Sequence, residues 1–248
     1  MEPLRAGDGG RNSTPRRIFG RTFLALLLLA GWGCAASDHY LSGRYFYEQG
    51  NYDRAVAEAK EAVEVDPDDG SAWTLLGMAY AKKGSYREAV QSLDRALALG
   101  FCGSMASGAE GSLNSPWYWL GYAYYHDGQL DEAITAFKKA VESRGDLAAS
   151  YEWLSGSAIR QGDWETAIDA ATKGLALADP AGHAWHPYYL RDRSLCFLAT
   201  GRFDEALEDA DALLADPAGK NAEFPAHGCR IKALAWAALG DTRKAQTL

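Results

Sequence analysis

The chain has 248 residues, 48% of them hydrophobic and 23% charged, with only 8 prolines. That length and apolar content support a folded core and exclude a disordered chain, and the scarcity of proline beside abundant alanine and leucine predicts helix. The formal net charge is −8, and the first 34 residues hold five of the arginines. The remainder is therefore more acidic still and repels phosphate backbones, so the expectation is no nucleic-acid partner.

The leader comes first. Residues 15–34 read "PRRIFGRTFLALLLLAGWGC", in which Arg16, Arg17 and Arg21 precede a strongly apolar stretch from Phe23 to Ala30. A helix needs roughly 20 apolar residues to cross the hydrocarbon core, and this stretch is shorter. A basic start, an apolar middle and small residues after it (Gly31, Gly33, Ala35) describe an export signal, with an uncleaved signal anchor as the other reading. The end of the stretch resembles a bacterial lipoprotein signal, in which a small residue, here Gly33, precedes a cysteine that takes the lipid. The resemblance makes Cys34 the lipidation site, although Gly31 and Trp32 depart from the usual pattern. "RRIFGR" resembles the twin-arginine export signal through Arg16, Arg17 and Phe19, and the general secretory route stays open. Residues 1–35 are thus an expected export or lipoprotein-like signal, placing the protein in the periplasm or anchored to a membrane of the bacterial cell envelope.

After the leader one frame recurs six times: "GNYDRA" (50–55), "GSYREA" (84–89), "GQLDEA" (128–133), "GDWETA" (162–167), "GRFDEA" (201–206) and "GDTRKA" (240–245). The glycines stand 34, 44, 34, 39 and 39 residues apart, which is one 34-residue unit with loops added at some junctions. Apolar residues at helical spacing precede each glycine (Trp73, Leu76, Tyr80) and follow it (Ala89, Leu93, Ala96), so each unit is predicted to be two antiparallel helices joined at the glycine. One pair cannot bury its apolar face alone; stacked pairs form a continuous core. Pro67 in "VDP" stops the second helix of the first unit.

The units are expected at 36–103 (one and two), 114–181 (three and four), 187–219 (five) and 226–248 (a partial sixth). The inserted loop is expected at 104–113. The sixth unit stops inside its second helix, which reads as a shortened chain or an edge capped by another one.

These residues resemble the tetratricopeptide repeat family. Trp73, Leu76, Gly77, Tyr80, Ala89 and Ala96 fit its pattern, as do Trp117, Leu120, Gly121, Tyr124, Ala133, Phe137 and Ala140. In the fourth unit Tyr151, Leu154 and Ala167 fit, with Ser155 replacing the small glycine. The resemblance implies an all-α, right-handed superhelical solenoid acting as a protein–protein interaction scaffold, which holds a partner segment in a concave groove lined by the first helix of each pair. The implied groove residues are Tyr40, Arg44, Tyr47, Thr74, Met78, Tyr118, Tyr122, Tyr125, Glu152, Arg160, Arg191 and Arg230. The Lys and Asn with which some members hold a terminal carboxylate are missing there, which disfavours that ligand. An envelope module recognising peptidoglycan or a pilus component is the other reading.

Chemistry has little support. There is no nucleophile elbow, phosphate-cradling glycine loop or HExxH helix, so neither enzyme nor cofactor is expected. Most carboxylates, as in "LDEA", "FDEA" and "LEDADA", are expected on solvated helix faces. Cys34, Cys102, Cys196 and Cys229 form no metal spacing, and Cys196 and Cys229 are expected as buried apolar residues. His183 and His186 lack a third ligand, so no metal is expected.

Overall fold

In a computed structural model of the protein, the described residues are 37–103, 115–144, 148–178, 186–216 and 223–247. The leader with Cys34, the inserted loop and His183 lie outside them. The described residues form helices and turns without a strand. The helices are α1 (37–48), α2 (Tyr52–Val65), α3 (Gly70–Lys83), α4 (Tyr86–Ala98), α5 (Pro116–Asp127), α6 (Leu130–Arg144), α7 (Ala148–Gln161), α8 (Trp164–Leu177), α9 (His186–Ala199), α10 (Phe203–Ala215), α11 (Glu223–Ala238) and α12 (Thr242–Gln246). None of them is long and apolar enough to cross a membrane.

The turn inside each pair has one cause repeated six times. Gly50, Gly84, Gly128, Gly162, Gly201 and Gly240 all have φ between 72° and 88°, the left-handed conformation that a side chain disfavours. The next residue's amide then reaches back five positions to close the first helix, as Asn51 N–H to Phe46 O (2.9 Å), Gln129 N–H to Tyr124 O (2.9 Å) and Asp241 N–H to Trp236 O (2.9 Å) do. Asn51, Asp163 and Asp241 then cap the second helix, each side chain accepting from the amide three residues on.

Close approach within the pairs explains the small residues. Ala55, Ala89, Ala133, Ala167 and Ala206, the alanines that end the first five copies of the repeated frame, are completely buried, while Ala245 of the sixth is half-buried. A Cβ on Gly77 would fall 2.5 Å from Leu93 Cγ, and one on Gly121 would fall 2.6 Å from the Phe137 ring. Just after α4, Phe101 packs so tightly on Gly70 that a Cβ there would meet it at 2.4 Å.

Stacking is asymmetric. Along the chain from α3, the first helix of each pair touches the first helix of the next (α3 with α5, α5 with α7, α7 with α9, α9 with α11), whereas the second helices of successive pairs do not meet. The first helices therefore line the inside of the curve. At that inner side Tyr47 of α1 reaches Trp119 of α5, two pairs away, with ring centroids 6.3 Å apart. The molecule is an all-α solenoid.

Asp209, in "LEDADA", is an exception to the solvated faces expected of most carboxylates: it is 5% exposed. Arg193 grips it with Nε to Oδ2 at 2.8 Å and Nη2 to Oδ1 at 2.7 Å, so the charge is taken inside with its partner. Cys196 is fully buried with its thiol pushed up to about 12 by burial and then by the nearby Asp192 charge; Cys229 is half-buried.

Candidate partner-binding groove

The inner face is aromatic through its first four pairs. Tyr47 (α1) touches Trp119, and Trp119 touches Tyr122 at 5.3 Å. Tyr122 and Tyr125 meet the Trp153 ring of α7 at 5.2 and 5.1 Å, and His126 stacks on Tyr86 of α4 at 5.7 Å. The helical spacing of Tyr118, Tyr122 and Tyr125 puts all three on this side of α5, away from Trp117 and Tyr124, which line a separate outer cleft with Asp94 and Lys139. Edge-to-face geometry dominates, as ring quadrupoles prefer.

Exposure separates wall from floor. Met78, Tyr118 and Trp119 are buried, as is Thr74, whose hydroxyl bonds back to Gly70 O at 2.8 Å. Tyr47, Tyr122, Tyr125 and Trp153 are half-buried and offer ring surface. Burial pushes the Tyr47 and Tyr122 phenols up, so they stay protonated donors. Tyr40 is half-buried at one end, beside exposed Arg44, which forms an ion pair with Glu48 at 3.0 Å.

Cations lie on this wall. Lys82 Nζ sits 4.8 Å from the Tyr122 ring and 5.3 Å from Trp119. The Arg160 guanidinium lies 4.4 Å above Tyr125 and donates to Tyr125 O at 3.4 Å. His126 stands between, 4.3 Å from Tyr122, its pKa lowered by burial and then by Lys82 and Arg160.

Beyond α7 the wall turns ionic. Glu152 is half-buried with its carboxyl raised to about 7, first by desolvation and then by the Asp192 charge, with Arg191 opposing both. Arg191 pairs with buried Asp192 at 2.7 Å, and Arg230 is exposed beside His227. His186, at the start of α9, bonds Asp216. Among the described residues no group of His, Cys, Asp and Glu is placed to hold a metal.

Sequence reasoning did not single out Trp119, Trp153, Lys82 or His126. A signal for the last two existed: Lys82, His126 and Arg160 each stand two residues before a turn glycine (Gly84, Gly128, Gly162), so superposing the units aligns them.

Models of the tetratricopeptide repeat match residues 40–100 and 154–222, and a second such model matches 115–146. The chain belongs to the tetratricopeptide repeat family. A curated relative, human (Homo sapiens) superkiller complex protein 3, is 37% identical over 54 residues, which are 22% of this chain and 4% of that protein. Among solved tetratricopeptide structures, PilW, described as a widely conserved type IV pilus biogenesis factor, is similar with TM-score 0.63 at 16% identity, over 86% of this chain and 89% of that one. YrrB, described as a TPR protein with an unusual peptide-binding site, is similar with TM-score 0.60 at 18% identity, over 77% and 90%. Tetratricopeptide repeats are protein-interaction scaffolds, and no catalytic family is indicated.

Proposed function

We propose that this protein is an exported, non-catalytic adaptor that holds a segment of a partner protein in its concave groove and is tethered to an envelope membrane through Cys34. One observation carries the groove reading: Tyr47, Tyr122, Tyr125 and Trp153, from three of the first helices, present half-buried ring surface on one inner wall. Such amphipathic rings give contact area at modest entropic cost and concentrate binding energy. The export and tether readings rest on the leader's composition alone. A second reading, an assembly factor for a pilus or secretion machine, draws on the likeness to PilW.

The test is site-specific photocrosslinking in the producing cell. A photoreactive side chain at Tyr122 or Tyr125 captures a defined partner, and the same group at Lys138, on the outer helix α6, does not. Equal capture from both faces, or capture from Lys138 alone, would remove the groove from the account. Mass spectrometry of the mature N-terminus tests the tether: a diacylglycerol-modified Cys34 is expected, and an unmodified residue beyond it would end the lipoprotein reading.

A further inference from the structure

Lys82, His126 and Arg160 occupy one equivalent place in three successive units, the last turn of α3, α5 and α7. They form a continuous row, because Lys82 lies over Tyr122, Tyr122 touches His126, His126 touches Tyr125, and Arg160 lies over Tyr125. All three are exposed at their edge of the groove.

The row lacks carboxylates. Among the described residues neither Lys82 nor Arg160 has an ion pair, although carboxylates are close by and engaged elsewhere. Lys83, the very next residue, pairs with Asp53 at 2.6 Å; Asp127 takes a hydrogen bond from Gln129 at 2.6 Å; and Asp131 is bonded by Gln161. Partial burial pushes the Lys82 ammonium down with no opposing carboxylate, which leaves it a charge in need of a partner.

The wider charge distribution runs the same way. The described first helices carry eight Lys/Arg against six Asp/Glu, and the second helices ten against sixteen. In an acidic protein the first helices thus carry a net positive balance and the second helices a net negative one. Resting the cations on rings also holds them in place, so a ligand finds them already ordered.

Resting on the groove reading above, we infer that this row is an acid-recognition track, in which Lys82, His126 and Arg160 receive carboxylates of an extended acidic segment of a partner protein while its apolar side chains lie on Tyr122, Tyr125 and Trp153. Packed helices stand about 8–10 Å apart. A polyproline II segment rises about 3.1 Å per residue with three residues per turn, so acids at every third residue recur about every 9 Å on one face. One carboxylate then meets each unit.

The probe is a fluorescent peptide of repeated Glu-Pro-Leu, titrated against the full chain in detergent. Its Gln-Pro-Leu isostere and a single-stranded oligonucleotide of equal charge serve as comparisons. The Glu peptide binds, weakens as salt rises, and binds at least about tenfold more tightly than the Gln isostere. Lys82→Glu with Arg160→Glu loses at least about tenfold in affinity, whereas Lys138→Glu on the outer face changes it little. Lys82→Met and Arg160→Met keep the stems on the rings and lose affinity without the charge reversal, which guards against a folding defect. Equal binding of the Gln isostere overturns the track and leaves the groove standing. No loss in the double variant, or equal binding of the oligonucleotide, overturns it as well. Failure of the groove itself is read separately, from the Tyr122 crosslinks.

Discussion

Units two and three and units five and six solve one packing problem by opposite chemistry. In the former, α3 to α6 meet through Leu93, Leu120 and Phe137, and the contacts are apolar to the turn glycines. In the latter, α9 and α10 take three carboxylates inside or nearly so: Asp192 against Arg191, Asp209 against Arg193, and Asp216, at the end of α10, against His186. The apolar contacts there fall into two small clusters, one around Phe197, Ala206, Ala210 and Ile231 and one of Leu190, Leu213 and Phe224. The repeat frame thus fixes where two helices cross, and leaves open whether dispersion or paired charge fills the crossing.

The largest expected effect breaks the ionic half. Arg193→Ala leaves the Asp209 carboxylate buried without its fork and costs about 3 kcal/mol in urea unfolding, while Arg193→Leu with Asp209→Leu recovers most of it. A single-variant loss below about 1 kcal/mol would show that water reaches the pair and would erase the contrast.

Glu152 marks the border between the halves, and its effect depends on pH. Its folded carboxyl, at about 7, keeps a proton that the unfolded chain releases near the ordinary value of 4.5. The native state therefore binds more protons in that window, so stability falls as pH rises through it, with the full cost above the folded value. Glu152→Gln is expected to be about 2–3 kcal/mol more stable than the parent at alkaline pH and similar to it in acid. Thermal melts across pH check this, and Asp192 and Asp94, which burial pushes up in the same direction, contribute to the slope that persists in the variant.

The apolar half breaks more gently. Gly121→Ala drives a Cβ into the fully buried Phe137 ring and costs about 2 kcal/mol. The smallest effect has the opposite sign: Gly156 of α7 has nothing within 4 Å of an added Cβ, so Gly156→Ala stabilises by about 0.5–1 kcal/mol. If both alanines shift the urea midpoint alike, close approach is not what the glycine at position 121 serves.

The same contrast explains what the sequence made legible. The pairs, their turns and the buried alanines were readable because a six-fold repeated frame averages away local noise. Ser155 was readable as a small residue standing for Gly77 and Gly121, and it is fully buried. Asp209 was not, since a carboxylate on an amphipathic helix defaults to water and its partner lies 16 residues away on another helix. The groove was half readable. Unit numbering implies Tyr122 and Tyr125, yet it does not reveal that Met78, Tyr118 and Trp119 form the floor or that Trp153 joins the wall, because those depend on how far each helix rotates.

The six left-handed glycines set where this chain tolerates growth. Each hairpin turn is locked by backbone hydrogen bonds and has one length, while the extra residues all enter between one hairpin and the next. The hairpin behaves as a rigid bead and the junction as an adjustable spacer. Lengthening a spacer re-aims the beads that follow without unpicking any of them, so the pitch of the inner surface is a separately tunable quantity. A series of junction variants would sample different curvatures from one unchanged set of side chains.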